Sequence, residues 1–402
     1  MKKIIALILA TFMIILSLAS CNNASKETEG IIQNKTEKQT DSEKGTSDSA
    51  DFGENNANNA GNGENNNSDN DDADNGGNIA DWNKGTYTRN GNKITFGYYP
   101  QAEVTDATLI ATLSSMAGAL PTSKNSQAWT SYGYYIGGKA ENFMWYIDVF
   151  QGGEKYRGVY FTSYRPYETS DTLTFTASTF QDDNGYLVNT VYWFKYEPIS
   201  WTILSEDTIN ETALILCDLI IDSQAYQDKY DVEGDEYYNT STGVPSGTSA
   251  NNYAHSTIRK WLNETFYNTA FTELQKEIIA TTTVDNSAAS ADNISNCYAC
   301  EDTEDKIFLL SVKEAINSEY GFAKTLTEDS ARRKNITDYA KSQGARTCRE
   351  DPYKGNIFWW LRSPTGYYSH YTYLVDYSGV INSKYYIYST GGCVLPALQI
   401  EL

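Results

Sequence analysis

Few residues in this chain have the types and spacing that do chemistry. Two histidines are present, His255 and His370, 115 residues apart. That spacing leaves no multi-histidine metal site, and it limits any Ser-His-Asp or Cys-His device to two bases. His255 precedes Ser256, a helix-capping type, and reads as a loop residue, while His370 sits among tyrosines. Cys297 and Cys300 have the two-residue spacing of redox and zinc sites. Their flanks (Asn293, Ser295, Asn296, Glu301, Asp302) read as a loop, not the strand and helix a redox site requires. No second close pair supplies two further zinc ligands. Asp231, Glu233, Asp235 and Glu236 read as a solvated acidic loop. Paired carboxylates for glycoside hydrolysis cannot be singled out among so many acids.

Aromatic residues are the strongest signal. The chain has 32 tyrosines, the first at Tyr87. Tyrosine offers a flat apolar face with a polar tip, which suits wet recognition surfaces. Near the C-terminus Trp359, Trp360 and Arg362 are followed by Tyr367, Tyr368, Tyr371 and Tyr373. Such rings stack on sugar C–H faces, and tyrosine hydroxyls and arginine bond sugar hydroxyls. These seven residues are the candidate ligand-binding face, centred on the Tyr367–Tyr373 turn because loops carry function more often than strands. Strand alternation supplies the competing reading, that one ring of each adjacent pair packs the core.

The elements that must position these rings read as α+β. A short strand opens at Ile94 to Tyr98, and Asp106 caps a helix reaching Ala119 with Leu109, Ile110, Leu113 and Met116 on one face. Residues 129 to 200 hold aromatic and β-branched runs split by Gly, Asp and Asn: Tyr132–Ile136, Phe143–Phe150, Tyr156–Thr162, Thr172–Phe175 and Leu187–Phe194. Two further strands are expected at Ser200–Leu204 and Ala213–Ile221, then a polar loop from 226 to 253. Ser256 caps a helix carrying Ile258, Trp261, Leu262 and Phe266, and Thr272 opens another. A buried strand is expected at Ile307–Leu310, with helices over Ser311–Tyr320 and Thr327–Ser342. Tail strands follow at Phe358–Leu361, Tyr371–Val375, Ile381–Ile387 and Val394–Ile400.

The N-terminus reads as an address. Lys2 and Lys3 precede an apolar run from Ile4 to Leu18, which is signal-peptide length and short of a membrane span. The run ends Leu18-Ala19-Ser20-Cys21, which resembles the bacterial lipobox and implies cleavage after Ser20 and a diacylglycerol thioether on Cys21. Residues 1–20 are thus expected to be a lipoprotein signal peptide, and the mature protein to be held on the outer face of the cytoplasmic membrane. From Cys21 to Ala80 the net charge is −9 and Phe52 is the single aromatic. Residues 21–91 therefore read as a disordered, self-repelling tether. Calcium loops do not fit there: with Asp69 or Asp72 first, the fifth position is Ala73 or Gly76. Residues 92–402 read as one globular α+β domain, with a subdivision near residue 196 as an option. The whole chain is acidic, net −21, which argues against nucleic acid and against an electrostatic grip on anionic lipid.

Several segments in order carry a resemblance. They are Phe96-Gly97-Tyr98-Tyr99-Pro100-Gln101, Pro198-Ile199-Ser200-Trp201-Thr202-Ile203-Leu204, Ile307-Phe308-Leu309-Leu310-Ser311, Trp359-Trp360-Leu361-Arg362-Ser363-Pro364, and the ending Pro396-Ala397-Leu398. The order resembles the domain of unknown function 6273, found in surface lipoproteins of clostridial-type bacteria, over residues 92 to 402. That family usually carries an arginine before the late proline; here the position is Leu395. Its layout is similar to the C-type-lectin and formylglycine-generating-enzyme fold, in which N- and C-terminal strands pair around inserted helices. A formylglycine-type copper–thiolate site would need two late cysteines, and Cys348 and Cys393 are late but stand in no supporting motif. With Cys21 lipidated, Cys217, Cys297, Cys300, Cys348 and Cys393 remain, an odd number in a disulfide-permissive compartment.

The expectation is a lipid-anchored surface binding protein with no cofactor, calcium at the Asp231–Glu236 cluster being an option without a supporting motif, recognising a glycan or a protein through its tyrosine face. The competing readings are a secreted enzyme, either a glycosidase or a thiol-dependent oxidase, and a structural envelope protein.

Overall fold

A computed structural model describes residues 87–122, 128–136, 139–165, 180–348 and 351–402. The signal peptide, Cys21, nearly all of the tether and the expected Thr172–Phe175 strand lie outside them. The first strand, β1 (Thr88–Asn90), begins slightly before residue 92 and is exposed.

The main sheet is built from β1, β2 (Lys93–Glu103), β3 (Thr130–Ile136), β4 (Lys139–Gln151), β5 (Glu154–Phe161) and β6 (Val191–Asp207), ordered β1-β2-β6-β5-β4-β3. The two strands expected on either side of Pro198 are one strand, β6, so residue 196 marks no boundary. Proline lacks the ladder donor and sits in sheets at irregularities. Pro198 pairs Tyr98 where the β2–β6 register shifts, which lets the strand continue. One edge of β6 is shared: its N-terminal part pairs β5, and its C-terminal part pairs β7 (Thr212–Cys217). The last strand of the chain, β17 (Ala397–Glu401), pairs β7. Three strands, β2, β6 and β7, therefore lie between the first strand and the last, which are not paired.

Alternation sorts the faces of this sheet. Trp145, Ile147 and Val149 of β4 and Tyr156 and Tyr160 of β5 join Trp193 and the Ala107–Ala117 helix in one cluster. Asp106 caps that helix by accepting from the Leu109 amide, and Leu113 and Ala117 are its buried residues, while Met116 is exposed. At Gly158 an added Cβ would lie 2.8 Å from the Trp193 ring, so only hydrogen fits beneath the indole. The opposite face presents Tyr146, Asp148 and Arg157 inward.

A second sheet runs β15 (Ile381–Tyr386), β14 (Tyr371–Val375), β13 (Trp359–Pro364), β16 (Cys393–Val394) and β8 (Asp222–Ser223). The main core lies between the two sheets and buries Trp201, Trp359 and Trp360 completely. Each of these indoles donates to a backbone carbonyl: Trp201 to Phe96, Trp359 to Arg332, Trp360 to Gln224. Leu395, where the family's arginine is expected, is fully buried.

Helical segments between the sheets start where their caps predict. Ser256 caps Thr257–Trp261, which continues through a π turn, Leu262–Phe266, into Tyr267–Ala270. Thr272 with Gln275 and Ser311 with Glu314 form reciprocal capping boxes. Five expectations need correction. The expected Ser311–Tyr320 helix is a four-residue helix, Val312–Ala315, and a separate 3-10 turn, Ser318–Tyr320. The expected Val394–Ile400 strand divides between β16 and β17, which lie in different sheets. The polar stretch after residue 226 contains a hairpin, β9 (Tyr230–Glu233) and β10 (Glu236–Asn239), carrying the acidic run. Ile307–Leu310 is buried but makes only an isolated bridge, Phe308 to Ala397. Thr327–Ser342 is not a helix: it holds a 3-10 turn, Ser330–Arg332, and a short helix, Asp338–Ser342.

Candidate functional site

Between the inner face of the main sheet, β8 and the start of the Ser256-capped helix lies a cavity of about 310 Å³. Its side chains come from seven separate places in the chain. Tyr99 is on β2, Tyr132 on β3, Tyr146 on β4 and Arg157 on β5; Arg165 follows β5, Asp222 is on β8, and Tyr339 and Gln343 come from the Asp338–Ser342 region. Trp261 and Thr257 close one side.

Hydrogen bonds hold these groups rigidly. The Tyr99 hydroxyl donates to Asp222 Oδ2 at 2.7 Å, and the other oxygen accepts from the Ser223 amide at 2.7 Å and Gln224 Nε2 at 3.1 Å. Arg157 donates through Nε and Nη2 to the two oxygens of Asp148, both at 2.8 Å, and Tyr196 donates to the same carboxylate. The Arg157 guanidinium lies 4.2 Å over the Tyr146 ring. Arg165 Nη1 donates to the carbonyls of Ser223 and Gln343, and the Tyr132 hydroxyl donates to Gln343 Oε1 at 2.8 Å. Tyr99 and Tyr339 meet edge to face, 5.6 Å between ring centres.

Burial sets the protonation states. It pushes the Asp222 carboxyl above its ordinary value despite the Tyr99 hydrogen bond, and it does the same to Asp228. Asp228 lines the cavity, and its buried Oδ1 has no hydrogen-bond partner among the described residues. Burial also drives the Tyr99, Tyr132 and Tyr339 hydroxyls up, so they remain protonated donors at physiological pH. Burial opposes the Arg157 charge, but Tyr196 and Asp148 more than offset it. The wall thus combines fixed hydroxyl and guanidinium donors, carboxyl acceptors and aromatic faces. That is the lining expected of a site for a small ligand rich in hydroxyl groups.

The expected ligand face divides. Trp359, Trp360, Arg362 and Tyr373 are buried, and the first three are structural. Arg362 donates to the carbonyls of Leu309 and Asp285 and pairs with Glu314. Both tryptophans are interior because β13 is covered on both sides, so alternation exposes neither. Tyr367 and Tyr368 are exposed, and Tyr371 is half-buried. Around them the structure gathers rings from distant segments: His370 lies 4.2 Å from Tyr371, 4.5 Å from Tyr237 and 5.3 Å from Tyr368, and Tyr386 and Tyr388 continue the patch. Burial holds the His370 imidazole below its usual value.

The remaining candidates are placed as follows. His255 pairs with Glu301 at 3.3 Å near the surface. Burial pushes the Cys300 thiol up, opposite to the depressed value of a redox cysteine. Cys217 and Cys393 are buried in the core, Cys217 pushed up to about 12. Among the described residues no three His, Cys, Asp or Glu side chains gather as metal ligands would, and no helix is long and apolar enough to cross a membrane. None of the cavity residues was singled out as functional from sequence. The signal available was Tyr99 inside the first resemblance block, beside an Asp222 that follows an apolar strand.

The architecture is that of a sheet-rich α+β domain with an aromatic, polar cavity. Residues 210–402 match the domain of unknown function 6273 (DUF6273), so the C-terminal part of the chain is a domain of that kind. The blocks at Phe96–Gln101 and Pro198–Leu204 lie ahead of the matched stretch. No curated protein and no solved structure matches the chain.

Proposed function

We propose that this is a lipid-anchored surface protein that binds carbohydrate, holding a sugar unit in the tyrosine-lined cavity. The observation that carries the reading is the cavity lining: four tyrosines and Trp261 facing two buried arginines and the carboxyls of Asp222, Asp228 and, at the rim, Glu264. Sugars need aromatic faces for their C–H surfaces and a dense mix of donors and acceptors for their hydroxyls, within a preformed hollow. Exposure on a long acidic tether, expected from the leader and residues 21–91, fits a receptor that reaches away from the bilayer. A C-type-lectin-like shape belongs to the same reading through the inserted helices and the late tryptophan-rich sheet, and differs from that fold in having β6 and β7 between β2 and β17. The Tyr368–Tyr371 patch is a secondary contact for the same ligand class or for a protein.

A glycosidase is the second reading, because Asp222 and Asp228 line one cavity and burial biases both toward the protonated form of a general acid. A thiol oxidase is not favoured, since burial drives Cys393 far from the thiolate form.

A glycan-array and insoluble-polysaccharide screen tests these readings. Saturable binding to a related sugar set, abolished by Arg165→Ala and kept by Tyr368→Ala, is expected. The reverse pattern moves the ligand to the surface patch. Release of shorter sugars from a bound glycan makes the protein an enzyme, and no binding at all removes the carbohydrate reading.

A further inference from the structure

Exposure grades steeply through the cavity. At its floor Tyr99, Asp222, Tyr339 and Gln343 are 1%, 2%, 3% and 1% exposed. At its rim Lys229, Lys260, Glu264 and Thr265 are exposed. The hollow therefore ends blindly on the buried Tyr99–Asp222 pair and opens where the Ser256-capped helix begins. Directly outside lies a second, larger hollow of about 720 Å³. The two share Lys229, Thr257, Lys260 and Glu264, so the rim of one is a wall of the other.

The linings differ in kind. The inner cavity is aromatic and tightly hydrogen-bonded. The outer groove is lined mainly by Ser241, Thr242, Asn263, Thr281 and charged groups, with Val244, Ala254 and His255 and, among the described residues, no Tyr, Trp or Phe. Its arginine and one of its lysines are already engaged: Arg259 with Asp305 at 2.7 Å, and Lys306 Nζ with the Ile279 carbonyl at 2.6 Å. What it offers is a hydrated polar track, not a second stacking pocket.

We infer that cavity and groove form one chain-end site, in which the inner cavity takes the terminal unit of an oligosaccharide and the groove takes the units that follow. This rests on the carbohydrate reading above and adds to it both ligand length and the direction of entry. A volume near 310 Å³ is the low end for a ligand pocket and suits one pyranose ring, while the groove has room for about two or three more. A blind inner end admits a terminus and excludes the middle of a chain. The difference in lining follows: the end unit is desolvated and stacked, and later units stay wet.

The test is calorimetric titration of the full-length protein in detergent with three homologous series of one to six units: β-1,4-glucosyl, β-1,4-N-acetylglucosaminyl and α-1,4-galacturonosyl. In the series that binds, affinity is expected to rise at least about tenfold from one unit to three and to level off by about four. Blocking the terminal unit with a bulky group at each end in turn should abolish binding at one end only. Thr242→Trp, in the groove wall, should erase the gain from length. A monosaccharide that binds as tightly as its oligomers would overturn the chain-end site while leaving the carbohydrate reading intact. Equal binding of both end-blocked forms would overturn it too. Failure of every series, with a correctly folded protein by circular dichroism, removes both.

Discussion

Arg157 is buried, and Asp148 meets it through two parallel hydrogen bonds. Removing one partner of such a pair strands the other charge in the interior. Asp148→Ala is therefore expected to cost about 3–5 kcal/mol in urea denaturation, with Arg157 losing its hold over the Tyr146 ring. Burial alone would raise the Asp148 carboxyl, but Arg157 and Lys155 more than offset it and hold it below the usual range. Its contribution is present above the unfolded carboxylate value and is lost as pH falls through the lower folded one. Asp222 has the opposite sign. Burial raises it, so the folded state binds that proton more tightly and loses stability as pH rises from the unfolded value through the folded one. Asp222→Asn should gain stability relative to the native protein as pH is raised from about 4 to 7. A ratio of stabilities that is flat across that range would show that Asp222 ionises as freely as in water.

Arg332 decides the course of the chain at the level of elements. It is fully buried, and its guanidinium donates to the carbonyls of Gly379, Ala315, Ala323, Thr325 and Thr327. Those bonds tie the β14–β15 turn and the loop after the Val312–Ala315 helix to one point. With Arg332 turned inward to bond these carbonyls, the Thr327–Ser342 stretch is not one continuous helix but a 3-10 turn, Ser330–Arg332, and a short helix, Asp338–Ser342. Arg332→Met should cost about 3 kcal/mol or more, because it leaves several buried acceptors without a donor. The turn closing on it requires glycine. Gly379 has φ of +88°, and an added Cβ would fall 2.0 Å from the Asp329 carbonyl oxygen. Gly379→Ala should lower the melting temperature by several degrees through strain and clash together.

At the scale of the molecule, two sheets close over a core of aromatic residues, and the acids outnumber the bases 52 to 31 over the chain. For residues 1–91 we propose a tether and anchor that hold the domain at the membrane. Cys21→Ala should move the protein from the membrane fraction to the soluble fraction and abolish incorporation of labelled palmitate. Unchanged fractionation would mean that another segment holds it to the membrane.

Local chemistry was legible in the residues themselves. The caps at Asp106, Ser256, Thr272 and Ser311 lie where Ser, Thr or Asp precedes an apolar run, because a cap is satisfied within three residues of itself. The tail strands β13, β14 and β15 were legible for a similar reason, since period-two patterning is local, whereas the expected Val394–Ile400 strand divides between two sheets. Three features depended on contacts far apart in sequence. Pro198 interrupts nothing because the β2 register shifts opposite it. Trp359 and Trp360 are both interior because other segments cover both faces of their strand: alternation tells which side a residue faces, not what lies on that side. The cavity exists because Tyr99, Arg157, Asp222 and Tyr339 converge from strands and a helix up to 240 residues apart. A cavity lined by residues from so many separate elements leaves no spacing to read, so only the tertiary fold brings its chemistry together.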